Sequence, residues 1–169
     1  TKFGVTLAPE DLSISQTIFD ENIDDNSVVL TLATTDQDSD DTHTYSLASG
    51  QRDIDNDSFS INGNQLLINQ LPDFESQSSY QVRIETTDRE GLTYQESFIL
   101  DVNNLEERPT DLNLLINNFD EDINSGTIIS PLSTTDSDNN EIHSYKFVEG
   151  EGDTDNELFT IVGNFLKIN

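Results

Sequence analysis

The sequence repeats itself at a spacing of 100 residues, and this repeat restricts the possible folds more than any other feature. When the chain is shifted by that distance without gaps, about 25 of roughly 62 overlapping positions are identical. The matching segments include Phe19-Asp20-Glu21 with Phe119-Asp120-Glu121, and Thr34-Thr35-Asp36 with Thr134-Thr135-Asp136. Identity of this extent at a fixed period predicts two tandem copies of one structural unit.

The repeat sets the expected domain boundaries. We expect the first copy at residues 8–107 and the second at residues 108–169, with residues 1–7 as the tail of a preceding linker. The second copy covers only the first five strands of the pattern and lacks the last two, so we interpret it as truncated. Strands supplied by a neighbouring chain are the alternative, because a sandwich without two strands leaves a sheet edge open.

Within the first copy, short segments alternate apolar and polar residues with a period of two, which is typical of β-strands. The turn at Asn62-Gly63-Asn64 predicts a hairpin between two of them. No segment shows a convincing helical stripe of apolar residues. The pattern therefore predicts an all-β fold: tandem Greek-key β-sandwiches of seven strands each. The strand-forming residues are Leu12 to Ile18, Ser27 to Thr34, Thr42 to Leu47, Phe59 and Ile61, Gln65 to Ile68, Tyr80 to Ile84, and Tyr94 to Val102.

Composition narrows the range of partners. The net charge is −27, from 34 acidic and 7 basic side chains. Such a surface repels nucleic acid and anionic membranes, and clustered carboxylates attract hard divalent cations. The alternative explanation of the high negative charge is that it serves only to keep the protein soluble. The absence of cysteine excludes disulfides and thiolate metal sites, and no apolar run reaches the length of a membrane-spanning helix.

The connector between the two copies concentrates oxygen ligands. Residues 101–109 hold three carboxylates and two side-chain amides within seven positions and end in Pro109. Calcium takes six to eight oxygen ligands, and no single loop of this chain supplies that many. We therefore expect several acidic loops to converge at a junction between the copies and bind calcium there.

The motifs together resemble the cadherin repeat, in the form found in bacterial cadherin-like proteins. The similarity covers the whole first copy and the first part of the second. Each motif alone is weak, whereas their order and spacing are specific. The motifs are Asp20-Glu21-Asn22, Thr34 to Asp38, Thr42 to Leu47, Phe59 to Asn64, Asp73-Phe74-Glu75, and Asp101 to Asn104 followed by Pro109.

The resemblance implies sandwiches joined end to end, with calcium bound at each junction. It also implies the ligands of the one complete junction in this chain, which are Glu21, Asp73, Glu75, Asp101, Asn103, Asn104, Asp136 and Asp138. Asn104 stands where the family usually has aspartate, and Glu106 or Glu107 is a possible replacement. The resemblance further implies a half-site at Asp36, Asp38 and Asp88, which would face a preceding repeat.

Two other features, an acidic stretch at residues 53–57 and a pair of histidines, have no assigned role in the junction. The stretch from Asp53 to Asp57 resembles the start of a calcium loop but lacks the glycine and glutamate of an EF-hand. Its alternative is a polar turn held by side-chain hydrogen bonds. His43 and His143 are one strand residue duplicated by the repeat. No nucleophile elbow or phosphate loop is present, so we do not expect an enzyme.

The sequence thus predicts a calcium-binding structural or adhesion module of a large extracellular or cell-surface repeat protein. The expected partners are neighbouring repeats of the same chain, with a homophilic or glycan partner possible. The alternative is a calcium-dependent carbohydrate-binding module of a secreted protein. The absence of tryptophan weighs against it, and the four tyrosines alternate like strand or core residues.

Overall fold

The computed structural model describes residues 6–138 and 141–169. The chain divides into two compact units, with the boundary between Leu105 and Glu106. We refer to them as unit 1 and unit 2. The regular elements of the described residues are twelve β-strands and two short 3₁₀ turns, which confirms the all-β prediction. Most of the segment interpreted as a preceding linker, residues 1–7, lies outside the described residues.

Unit 1 contains eight strands in two sheets. The first sheet has the order β1-β3-β6-β5, and the second has the order β2-β8-β7-β4. The 3₁₀ turn spans Asn56–Ser58, directly before β5. The strands are β1 (Asp11–Ile14), β2 (Ile18–Asp20), β3 (Val28–Thr35), β4 (Thr44–Leu47), β5 (Phe59–Asn62), β6 (Gln65–Ile68), β7 (Ser79–Thr87) and β8 (Thr93–Asn103).

The first predicted strand is divided between the two sheets. β1 pairs antiparallel with β3, placing Leu12 opposite Thr34. After a break, β2 pairs parallel with β8, placing Phe19 opposite Val102. Apolar alternation detects both pieces but gives no sign of the change of sheet, because the inward residues of both pieces enter the same core.

The core of unit 1 lies between its two sheets. Leu66, Ile68, Val82 and Ile84 are completely buried there. Tyr80 packs edge-to-face against the ring of Phe59, at 5.3 Å between ring centroids. The predicted alternation is clearest in β7, where every second side chain is buried. Burial of this alternating set is the main term that stabilises the sandwich.

The predicted hairpin joins β5 to β6. Asn62 pairs with Gln65, so Gly63 and Asn64 form the loop. Gly63 has φ 60°, a left-handed conformation in which a side chain is strained. Unit 2 repeats this turn with Gly163 at φ 63°.

Unit 2 forms one four-stranded sheet of the order β9-β10-β12-β11. Four of the five strands expected from the repeat are therefore present among its described residues. The segment that corresponds to β4, at residues 144–147, is not a strand. In unit 1 that strand pairs with β7, and the described residues of unit 2 include no counterpart of β7. The strands are β9 (Asp111–Leu114), β10 (Ile128–Thr135), β11 (Phe159–Val162) and β12 (Phe165–Ile168).

Candidate metal centres

One acidic cluster lies where β2 and β8 of unit 1 end together. The two strands run parallel with Asp20 opposite Asn103, so the residues that follow them emerge at the same edge. Glu21 follows β2, and the turn before β7 brings Asp73 and Glu75 to it. One oxygen of each carboxylate lies within 4.8 Å of the others. We term these three residues the Glu21 cluster; all three were named as ligands from the sequence.

Glu21 is the buried member of this cluster, with 1% of its surface exposed. Its Oε2 accepts the backbone N–H of Phe74 at 2.7 Å, and its Oε1 accepts that of Leu105 at 2.6 Å. Such charge-assisted bonds hold a carboxylate in a fixed orientation. Each carboxylate oxygen has further lone-pair capacity, so Glu21 remains able to ligate a cation.

The other members are oriented by short local bonds. Asp73 accepts the Ser76 hydroxyl at 2.8 Å and the Ser76 backbone N–H at 3.0 Å. These two bonds lower the pKa of Asp73, the hydroxyl having the larger effect. Asn104 Nδ2 donates to Glu75 Oε1 at 2.8 Å. The structure thus brings Asn104, a fourth sequence-predicted ligand, to the Glu21 cluster.

Two predicted ligands on β8 lie outside this cluster. Asp101 and Asn103 flank Val102, which is buried in the core. Strand alternation therefore directs both side chains to the outer face. Asn103 Nδ2 donates to Asp20 Oδ1 at 2.8 Å. Asp101 is exposed and belongs to none of the acidic groups formed by the described part of the chain.

A second acidic group, in unit 2, consists of two overlapping triples. Asp136, Glu141 and His143 form one, and Glu106, Asp138 and Glu141 form the other. We term these five residues the Asp136 cluster. The backbone N–H of Asp138 donates to Asp136 Oδ1 at 3.2 Å. Asp136 and Asp138 were predicted ligands and Glu106 a possible replacement, whereas Glu141 and His143 were missed.

Each histidine contacts the first carboxylate of the Asp-x-Asp motif in its own unit. His143 Nε2 lies 2.9 Å from Asp136 Oδ2 and 3.7 Å from Glu141 Oε2. His43 Nε2 lies 3.1 Å from Asp36 Oδ2. The interpretation as a duplicated strand residue missed this contact. The signal available in the sequence was the aspartate–histidine spacing, seven residues in both copies.

The Asp136 cluster places Glu141 in a strongly negative environment. The pKa of Glu141 is raised to about 7, first by a hydrogen bond shared with Glu106 and then by desolvation. The negative charges of Glu106, Asp136 and Asp138 raise it further. The pKa of Asp136 is lowered, and the hydrogen bond with His143 is the largest cause. Adjacent carboxylates of the cluster thus differ in proton affinity.

This environment predicts a pH dependence of the metal-free protein. Because the folded state raises the pKa of Glu141 from 4.5 to about 7, it binds more protons than the unfolded state between those values. The Glu141 contribution to the free energy of unfolding is therefore present at pH 4.5 and lost as the pH rises through 7. Glu141→Gln should flatten the pH dependence of the free energy of unfolding between pH 4.5 and 7, measured by urea denaturation. Glu151→Gln, on an exposed loop, should leave that dependence unchanged. An unchanged slope in Glu141→Gln would contradict the assignment.

A third acidic group in unit 1 contains a buried oxygen without a hydrogen-bond partner. Asp36, Asp41 and Asp88 each place one oxygen within 4.8 Å of the others, and we term them the Asp36 cluster. Asp88 is 5% exposed, and its Oδ1 accepts the backbone N–H of Leu92 at 2.7 Å. Its Oδ2 has no partner among the described residues. A buried unsatisfied oxygen is costly, and a cation at this cluster would satisfy it.

The stretch from Asp53 to Asp57 has a structural role. Asp55 Oδ2 accepts the backbone N–H of Gln81 at 2.6 Å. Asn56 Oδ1 accepts that of Arg83 at 2.9 Å. Both bonds attach the 3₁₀ turn to β7. They support the polar-turn interpretation of this stretch over the calcium loop.

Comparison with known proteins finds similarity at the level of structure. No protein-family model and no curated protein sequence matches the chain. The EC1-2 fragment of human protocadherin-24 in crystal form II has a TM-score of 0.64 at 21% identity, covering 96% of this chain and 78% of that chain. Extracellular cadherin domains 1-4 of protocadherin gamma B7 have a TM-score of 0.54 at 20% identity, covering 95% of this chain.

The extracellular domain of protocadherin gamma B4 has a TM-score of 0.52 at 26% identity, again covering 95% of this chain. This chain spans 42% of the gamma B7 chain and 26% of the gamma B4 chain. Among the described residues, no helix is long and apolar enough to cross a membrane.

Proposed function

We propose that this chain, which has a cadherin-like β-sandwich fold, is a calcium-binding structural or adhesive module of a larger extracellular protein. The observation that carries the proposal is the gathering of carboxylates into three clusters, one of which contains the unpartnered Asp88 oxygen. The structural likeness to protocadherin extracellular domains supports the extracellular setting. In this role the chain positions and holds ions and does not carry out a reaction.

The donor set favours calcium over other divalent ions. The Glu21 and Asp36 clusters offer carboxylate oxygens, and Asn104 adds an amide group to the first. Calcium accepts six to eight such oxygens in a flexible arrangement, whereas magnesium requires a smaller and nearly octahedral set. His143 is the one nitrogen donor in the clusters, and its contact with Asp136 gives it the role of orienting a ligand.

The connector bonds to one acidic cluster in each unit, through residues two positions apart. The backbone N–H of Leu105 bonds to Glu21, and two residues later that of Glu107 bonds to Asp138 at 2.6 Å. We infer that residues 8–107 and 108–169 are two repeats and that they share calcium at their junction. Bound calcium supplies positive charge, which offsets the repulsion among the carboxylates of a chain with net charge −27. The residues of the connector would then be held from both ends.

The direct test is calcium titration of the intact chain. Extracellular calcium modules typically bind at about 10⁻⁴–10⁻³ M. Saturating calcium should therefore raise the melting temperature by about 10 °C or more, and chelation should reverse this. Isothermal titration should count the ions, and small-angle scattering should show a smaller radius of gyration in calcium than in chelator. The melting temperature and the radius of gyration should not respond to magnesium at the same concentration. If neither quantity changed in 10 mM calcium, the proposal would be refuted.

The tyrosines of the described residues give no support to the carbohydrate-binding alternative. Sugar sites need exposed aromatic faces, and Tyr80 is 1% exposed in the core of unit 1. Tyr45 and Tyr94 pack against the same core. The Tyr145 hydroxyl accepts a hydrogen bond from Thr134 at 3.0 Å. The tyrosines are thus used within the sandwich.

A further inference from the structure

The two histidines of the chain contact equivalent aspartates in the two units. In unit 1, His43 Nε2 lies 3.1 Å from Asp36 Oδ2. In unit 2, His143 Nε2 lies 2.9 Å from Asp136 Oδ2. The two aspartate side chains are only 3% and 4% exposed, so water reaches little of either carboxylate. A buried carboxylate depends on hydrogen-bond donors from the protein, and the histidine ring is such a donor in each unit.

The second donor to each carboxylate comes from the backbone. Asp36 Oδ1 accepts the N–H of Asp38 at 2.9 Å. Asp136 Oδ1 accepts the N–H of Asp138 at 3.2 Å. One oxygen of each carboxylate is therefore held by the Asp-x-Asp turn and the other by the histidine, and both oxygens keep lone-pair capacity for a cation. Bonds at both oxygens fix the plane of the carboxylate, which a bond at one oxygen alone does not do.

The contact does not depend on the strand that follows the histidine in unit 1. β4 begins at Thr44, directly after His43. Residues 144–147 of unit 2 form no strand, and His143 nevertheless contacts Asp136. What the units share is the spacing of seven residues from aspartate to histidine. Packing of the histidine within a strand therefore does not account for the contact.

From these contacts we propose that His43 and His143 are positioning residues, which hold the first carboxylate of each Asp-x-Asp motif in the orientation that binds calcium. This inference rests on the proposed function and adds a role for residues that are not themselves ligands. An ionised carboxylate accepts hydrogen bonds and cannot donate them, so Nε2 of each ring is the donor. A neutral ring then carries its proton on Nε2. Through that nitrogen the ring orients a ligand and cannot bind the ion itself.

The same hydrogen bonds favour the charged form of both carboxylates. The pKa of Asp36 is lowered first by the backbone N–H of Asp38 and then by His43. The pKa of Asp136 is lowered chiefly by His143. A carboxylate must be deprotonated to ligate a metal. Groups that hydrogen-bond to metal ligands typically contribute about 10–100-fold to metal affinity.

The test replaces each histidine in turn with leucine or with glutamine in the intact chain. Glutamine has a similar reach and can donate through its amide, whereas leucine keeps apolar bulk and donates nothing. Calcium chloride is titrated by NMR, with one backbone amide reporting on each cluster through its bond to a carboxylate. The reporters are Leu92 for the Asp36 cluster, Glu107 for the Asp136 cluster and Leu105 for the Glu21 cluster.

His43→Leu should raise the calcium concentration at half-saturation about 10–100-fold at Leu92 and leave it unchanged at Leu105. His43→Gln should remain close to the parent at both amides. The two His143 variants should act in the same way at Glu107. If the leucine variants matched the parent at their reporters, this inference would fail while calcium binding stood. If no reporter of the parent responded to calcium, the proposed function would fail and this inference with it.

A second measurement needs neither calcium nor a folded leucine variant. Nitrogen NMR spectra of the parent in chelator, at a pH where histidine is neutral, report which ring nitrogen carries the proton. Both rings should be protonated on Nε2, because that atom faces an ionised carboxylate. A mixture of tautomers, as in a free histidine, or a proton on Nδ1 would overturn the assignment of the rings as donors to Asp36 and Asp136.

Discussion

Replacing Glu21 with glutamine should remove most of the stabilisation that calcium bound at the Glu21 cluster gives to unit 1. At a calcium concentration 100 times the dissociation constant, that stabilisation is about 2.7 kcal/mol. Glu21 is the buried carboxylate of its cluster, and both of its oxygens are already fixed by backbone N–H groups. Glutamine has nearly the same shape but lacks the negative charge and one of the two acceptor oxygens.

The measurement compares urea denaturation of the parent and the variant in calcium and in chelator. Glu121→Gln is a matched control, because Glu121 occupies the same repeat position in unit 2 and is exposed. We expect the calcium-dependent part of the unfolding free energy to fall in Glu21→Gln, leaving only the part due to the Asp36 cluster, and to be unchanged in Glu121→Gln. If calcium stabilised the Glu21 variant as much as the parent, the Glu21 cluster would not be a calcium site.

The second large effect concerns the two leucines at one repeat position. Leu12→Ala should lower the free energy of unfolding of unit 1 by about 2–5 kcal/mol, because it leaves a cavity in a closed core. Leu112→Ala should cost well under about 1 kcal/mol, because its side chain is mostly in contact with solvent. The exposed fractions of 2% and 61% are the basis of this difference.

Circular dichroism in urea, with hydrogen exchange to assign each transition to a unit, would measure both changes. The pair has identical chemistry, so the difference isolates burial. Equal losses would show that Leu112 is buried in solution.

Much of the fold follows from local sequence signals. The alternation in β7 and the glycine turn at Gly63 both report on interactions within a few residues, and both were predicted. The change of sheet between β1 and β2 was not, because it depends on pairing with β8, some 80 residues away. The loss of a strand at residues 144–147 was missed for the same reason. That segment has strand-like residues, but the strand that pairs with its counterpart in unit 1 has no equivalent among the described residues of unit 2.

The candidate sites divide in the same way. Glu21, Asp73 and Glu75 could be named because their motifs and spacing resemble those of a known repeat. Glu141 could not, because it has no motif of its own and reaches two acidic triples through the loop after β10. The one sequence signal for Glu141 is that its repeat counterpart, Asp41, is also acidic. Shared acidity at one repeat position was therefore an unused signal.

The parallel pairing of β2 with β8 has a mechanical consequence. The chain enters unit 1 before β1 and leaves it after β8, so tension applied at the two ends draws β2 and β8 in opposite directions along their length. The ladder from Ile18–Asp101 to Asp20–Asn103 is then loaded in shear. Its hydrogen bonds lie across the pulling direction and must fail together, whereas an antiparallel hairpin pulled from its open end fails one bond at a time. We therefore expect unit 1 to resist stretching at β8, the strand that leads directly into the connector.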